Sequence, residues 1–442
     1  MTNVPLSSAA ALSGKSAGPV KRFLNATEID TRLLGMMTAL LLIWIVFHVY
    51  GIIFNGMGAF LTPRNLWNVS VQMSSIGIMA TGMVLVIVSR NIDLSVGAIL
   101  GVSGMVMGIL QVNILPQFLG LGHPVIWVVT AIVGIFVGVL IGSFHGWLIA
   151  YRGIPAFIVT LGGLLVWRGF AFLSANGRTI SPVDQTFALL GGGPYGAVGA
   201  VGSWIVGILA CAGIVWMVYA SRKSRRTHDF PLRPMWAELF MAVLGCGLVI
   251  GAVLLVNAYP WPRGIVANYV AASGITLAEG EELFISHGFA YPVLIMVAVA
   301  LLMTILVTKT QFGRYVFAIG GNPEAAALAG IPVKWVTLRI FALMGGLAGL
   351  AAVVASARLN SATNALGLLD ELYVIAAAVV GGTSLAGGIG TIYGAILGAL
   401  VMQSLRSGMV LIGFDTAIQQ IVVGSVLVIA VYLDNLYRSR AK

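Results

Sequence analysis

Residues 124–150 read Pro124-Val-Ile-Trp-Val-Val-Thr-Ala-Ile-Val-Gly134-Ile-Phe-Val-Gly138-Val-Leu-Ile-Gly142-Ser-Phe-His145-Gly146-Trp-Leu-Ile-Ala150. No Asp, Glu, Lys or Arg interrupts the run. It exceeds the roughly 20 apolar residues that an α-helix needs to cross a hydrocarbon layer of about 30 Å. Gly134, Gly138, Gly142 and Gly146 recur every four residues, so they share one face of a helix. In lipid no hydrophobic force drives helices together. Close backbone approach and dispersion replace it, and glycine permits that approach. The stretch therefore reads as a membrane helix packed tightly along its glycine face, within the chain or, as the alternative, across a dimer interface.

Twelve apolar runs recur, from Leu33–Phe54 to Ala417–Leu433. The tenth, Glu371–Gly382, is short for a full crossing and reads as a broken or re-entrant helix. The pattern predicts an all-α, polytopic transmembrane helical bundle of about 10–12 spans with broken helices. Residues 1–32 form a polar, basic tail, 33–433 the transmembrane domain and 434–442 a second tail. Within the domain, 221–292 carries an extra span and an outer loop, and 309–335 forms a loop on the opposite side. The first apolar run has spanning length and no small-residue cleavage site after a short core, so it reads as a helix and not a removed signal.

Composition agrees. Hydrophobic residues make up 59% of the chain and charged residues 9%, against about 25% charged in a soluble domain. The net charge of +10 comes from basic residues between the apolar runs. They set orientation, and nucleic-acid binding is set aside. With the N-terminus in the cytoplasm, 18 of the 24 Lys and Arg residues fall on the inside, four outside and two, Arg168 and Arg406, inside apolar runs. The positive-inside rule favours that orientation, with both termini cytoplasmic. The basic loop 221–234 reads as an anchor beside lipid headgroups. Arg168 and Arg406 are expected to snorkel to an interface, with a polar cavity as the alternative.

Much chemistry is missing. Gly14-Lys15-Ser16 is the nearest approach to a phosphate-binding loop, but Ala9 stands where its first glycine belongs. The carboxylates fall at the ends of apolar runs, and the five histidines are scattered without metal-ligand spacing. Cys211 and Cys246 read as small core hydrophobes. The expectation is no catalysis, no metal and no cofactor. An ion-coupled secondary carrier is the alternative to be tested.

Three stretches carry the functional signal. In Ser89-Arg90-Asn91-Ile92-Asp93-Leu94-Ser95-Val96-Gly97, Asp93 reads as a helix cap, and Asp93 and Ser95 as path candidates. In residues 312–331, Gly313 and Arg314 precede a capped helix. Asn322 is its N-cap, Pro323 its first residue, Glu324 its acidic start, Ala325 and Ala326 its body, and Gly330 its stop. In residues 376–390, Gly381-Gly382-Thr383-Ser384 and Gly387-Gly388 break a helix and read as candidates, with Asp93 and Ser95, for a path through the membrane or its cytoplasmic gate. Irregular backbone at membrane depth survives only where it is buried in protein or lines a cavity. The pentapeptide Gly-Ala-Ile-Leu-Gly occurs at 97–101 and again at 394–398, an echo consistent with an internal repeat or with chance.

Together with Gly153-Ile154-Pro155-Ala156-Phe157-Ile158-Val159-Thr160-Leu161-Gly162, these stretches resemble the ribose/xylose/galactose-type permeases of bacterial ABC sugar importers, nearest to the xylose-type members. The resemblance runs from about Leu61 to Leu433. It implies a subunit of the bacterial inner membrane that pairs with a second copy or with a sister subunit. A periplasmic sugar-binding protein would deliver a monosaccharide, and a cytoplasmic ATPase would grip Asn322–Gly330 and consume the ATP. Two departures from the family pattern stand out. Ala327 stands where arginine is frequent, and Arg90-Asn91 replaces smaller or acidic residues.

Overall fold

The computed structural model describes residues 19–28, 30–275 and 283–439. In chain order the helices that matter are α1 (Thr31–Asn55), α2 (Pro63–Val88), α3 (Val96–Ile109), α4 (Val125–Arg152), α5 (Ala156–Leu173), α6 (Gly199–Thr227) and α7 (Met235–Asn257). They continue with α8 (Tyr291–Lys309), α9 (Gln311–Gly321), α10 (Pro323–Leu328), α11 (Val333–Leu359), α12 (Asp370–Val380), α13 (Ile392–Leu411) and α14 (Thr416–Ser439). The described residues contain isolated β-bridges but no strand. Among the described residues ten helices are long and apolar enough to cross a membrane: α1 to α8, α11 and α13, with α3 continuing through a π turn to Leu119. The apolar part of α14, Thr416–Tyr432, is shorter.

Helix α2 is the axis of the bundle, with 94% of its apolar window buried, against 11% for α1, α6 and α7. Its segment from Ile78 to Val88 is sealed on every side. The glycine face of α4 lies on α11. A side chain at Gly138 would strike the Gly345 carbonyl, and one at Gly142 the Phe341 carbonyl. Gly146 meets the backbone of Leu338 in the same way. The tight packing expected of residues 124–150 therefore lies within the chain.

Helix α12 has 11 residues, about 16 Å at 1.5 Å per residue and half a hydrocarbon crossing. The expected short tenth segment is this half-helix. The two Gly-Ala-Ile-Leu-Gly copies pack against its opposite ends. Gly97 abuts Gly367 and Glu371, whereas Gly394 and Gly398 abut Gly381 and Ala377.

Helices α6 and α7 form a hairpin on the periphery. At its turn Arg222 pairs with Glu238, and Arg225 and Arg233 both pair with Glu28, which follows the short helix Pro19–Thr27. The basic loop expected to sit beside headgroups thus also latches the N-terminal segment. Residues 1–18, 29 and 440–442 lie outside the described residues, as do Glu279, Glu281 and Glu282 of the outer loop.

Candidate functional site

Residues 310–331 fold as two short helices at an angle, where the sequence predicted one. Thr310 accepts the Gly313 N–H through Oγ1 at 3.2 Å and starts α9. Gly313 packs where a side chain would strike the Val307 carbonyl. Asn322 breaks the chain direction (φ −153°, ψ 106°) and caps α10. Its Oδ1 accepts from the Glu324 and Ala325 N–H groups at 3.0 Å each. Pro323 is the first residue of α10, and Gly330 ends the unit at φ +83°, a conformation that favours glycine. Ala326 is buried. Arg314, Glu324, Ala325 and Leu328 face outward, and Leu328 is 90% exposed.

The inner end of this unit meets the other singled-out stretches. The Arg90 guanidinium donates from Nε to the Gly320 carbonyl at 2.8 Å and from Nη2 to the Gly321 carbonyl at 2.5 Å. These are C-terminal carbonyls of α9, which lack a partner within their own helix. A side chain at Gly320 would strike the Val88 carbonyl at the end of α2. That same carbonyl accepts the Gly388 N–H at 3.0 Å. The turns after α2, after α9 and after α12 therefore converge on a single point.

The 381–390 turn depends on glycine at Gly382, Gly387 and Gly388, with φ of +86°, +87° and +76°. Gly381 lies against Gly394. Thr383 and Ser384 are buried, and their hydroxyls have no hydrogen-bond partner among the described residues.

Asp93 and Ser95 sit behind this point in a buried chain. Asp93 Oδ1 accepts from Ser95 N at 2.8 Å and from Ser95 Oγ at 2.6 Å. Ser95 Oγ lies 3.2 Å from His145 Nδ1, and Trp167 Nε1 donates to His145 Nε2 at 2.9 Å. Because the indole occupies Nε2 as donor, Nδ1 carries the imidazole proton and donates to Ser95, whose hydroxyl proton turns to Asp93. Asp93 therefore ties the turn to Ser95, which is itself the residue at the N-cap of α3 and makes no side-chain capping bond. Thr160, in the fourth stretch, reaches the Ile92 carbonyl at 3.3 Å. Asp93 and Ser95 do not line the polar cavity.

That cavity lies at the other end of α2. It has a volume of about 510 Å³ and sits between α2, α11, α12 and α13. Asn65, Asn68, Gln72, Arg358, Asp370 and Arg406 face it. Neither arginine snorkels in the expected manner. Arg406 lines the cavity and turns its guanidinium over the Tyr373 ring at 5.2 Å. Arg168 donates to the Asn364, Leu366 and Gly367 carbonyls at 2.8–3.1 Å, capping the turn before α12.

The sequence reading passed over the polar lining. Its signal was present, because Asn65, Asn68 and Gln72 fall at helical spacing on one face of α2, and Gln403, Arg406 and Ser407 do so on α13. Exposed Leu328 was also missed, since a leucine among alanines reads as ordinary helix.

The family described as branched-chain amino acid transport system / permease component matches residues 65–223 and 197–431. A xylose transport system permease protein of Haemophilus influenzae is 37% identical over 378 residues, covering 86% of this chain and 90% of the relative. A ribose import permease protein of Escherichia coli is 31% identical over 376 residues, covering 85% and 87%. An L-arabinose ABC transporter permease protein of Azospirillum brasilense is 28% identical over 383 residues, covering 87% and 83%. No solved structure matches significantly.

Proposed function

This chain belongs to the branched-chain amino acid transport system / permease component family and is the multi-pass inner-membrane permease subunit of an ABC sugar importer; from that premise we propose how its two ends divide the work. The family and its sugar-importer relatives set aside the ion-coupled carrier.

The 310–331 unit is the docking surface of a cytoplasmic ATPase, and both termini lie on that side. The excess of Lys and Arg on the same side of the spans supports this orientation. Displacement of α9 and α10 by the ATPase reaches Arg90 through two guanidinium bonds and reaches the end of α2 through the close approach of Gly320 and Val88. Helix α2 has 26 residues, about 39 Å of rigid rod. It carries the movement to the polar cavity at its far end. There a periplasmic sugar-binding protein delivers a monosaccharide of the xylose type. A second permease copy completes the route, and the partner ATPase, not this chain, uses the ATP.

The single observation that carries this reading is the convergence of three turns on the Val88 carbonyl, beside an exposed, capped helix pair. It is tested by reconstituting the subunit in liposomes with its ATPase and binding protein. ATP-dependent accumulation of xylose is expected, and accumulation driven by an ion gradient without the ATPase contradicts it.

A further inference from the structure

Resting on the transport reading, we infer that the cavity beside α2 is a sugar-binding subsite of the permease itself, one that grips the hydroxyl groups of a monosaccharide through fixed amide groups and an unpaired Arg358–Asp370–Arg406 constellation.

Charged side chains inside a membrane-embedded bundle are costly and normally pair with one another. Here they do not. Among the described residues no ion pair joins Asp370 to Arg358 or Arg406, although all three line one cavity. Two cations and one anion are held apart around an open space.

The wall between them is preorganised. Gln403, 1% exposed, donates from Nε2 to Gln72 Oε1 at 2.9 Å. Ser407 donates to Asn65 Oδ1 at 3.0 Å, and Asn65 Nδ2 is fixed on the Phe60 carbonyl at 2.8 Å. These bonds leave the Gln72 amide protons and Gln403 Oε1 for a ligand. Beside them stand two guanidinium forks and one carboxylate. Donors and acceptors thus alternate around a space of about 510 Å³, within the size range of small-molecule sites.

The chemistry selects the ligand. Asp370 opposes an anion, and the two arginines oppose a cation. A branched-chain amino acid would engage one charge of each sign but leave the carboxamides unused. A ring of hydroxyls, each both donor and acceptor, matches the whole set.

The test uses the permease–ATPase complex in lipid nanodiscs, without binding protein, and radiolabelled D-xylose. Saturable binding is expected, undisturbed by excess L-leucine. Asp370→Asn should weaken it roughly tenfold or more, as loss of a charged hydrogen-bond partner does. In liposomes, with the ATPase and the binding protein present, Gln403→Leu should raise the KM for ATP-driven uptake while ATPase co-purification stays intact. Absence of saturable binding in wild-type complex that still transports, displacement by leucine, or unchanged KM in both variants overturns the subsite. Absence of ATP-driven uptake by the wild type overturns instead the transport reading beneath it.

Discussion

Arg90 Nε lies 2.8 Å from the Gly320 carbonyl oxygen, joining two turns 230 positions apart in the chain. Arg90 adopts φ +64° to make this reach, a conformation that costs a non-glycine residue of order 1 kcal/mol. The backbone strain and the side-chain bonds can be separated by substitution. Arg90→Gly removes the guanidinium while relieving the backbone. The fold should persist, with thermal stability changed by about 1 kcal/mol or less. The ATP hydrolysed per sugar imported should rise several-fold. Parallel ATPase and uptake assays read that ratio, and an unchanged ratio removes Arg90 from the coupling route.

Leu328, 90% exposed at the tip of α10, presents an apolar knob that water does not favour. Leu328→Asp should abolish co-purification with the ATPase, and Glu324→Lys, at the acidic helix start, should weaken it. Interface anchors of this kind are worth about 2 kcal/mol or more, some thirtyfold in affinity. Pull-down of tagged permease from solubilised membranes measures both.

Gly142 faces the Phe341 carbonyl across the α4–α11 contact, whereas Gly162 on α5 has open space beside it. Gly142→Val should destabilise the bundle by about 1–3 kcal/mol through overpacking. Gly162→Ala should leave the melting temperature unchanged or slightly raised. Thermal unfolding in detergent compares the two. Equal behaviour would mean that the glycine face does not hold α4 on α11.

The two arginines on Glu28, chiefly through their hydrogen bonds, hold its carboxyl down at about 2, against an ordinary 4.5. A depressed folded-state value means that the latch is fully present above pH 4.5 and is lost only as pH falls towards 2. Hydrogen-exchange protection in Pro19–Thr27, relative to the intrinsic rate at each pH, should therefore not change between pH 8 and pH 5, and Glu28→Gln should lower it across that whole range. Protection that falls on going from pH 8 to pH 5 would contradict the pairing.

The fold was largely legible because lipid leaves the sequence little freedom. An apolar run such as residues 124–150 has one structural outcome, and its glycines name their own face. The cap at Asn322 and the break at Gly381-Gly382 were legible for a similar reason, since each rests on local backbone chemistry. Contacts distant in sequence were not. Nothing near Arg90 announces Gly320, and nothing near Asp370 announces Arg406. Arg406 itself illustrates the limit. Inside an apolar run it can snorkel or line a cavity, and only the positions of α2 and α12 decide. Asp93 resembled a helix cap because its spacing suits one, but tertiary packing placed it in a chain with Ser95 and His145 instead.

The account turns on the 310–331 unit meeting the ATPase in the cytoplasm. A photo-crosslinking residue placed at Leu328, in membranes that retain ATP-driven sugar uptake, tests this directly. The account predicts an adduct with the ATPase subunit that forms only when that subunit is present. Adducts with the periplasmic binding protein, or labelling of position 328 by a membrane-impermeant reagent added from outside, would contradict it.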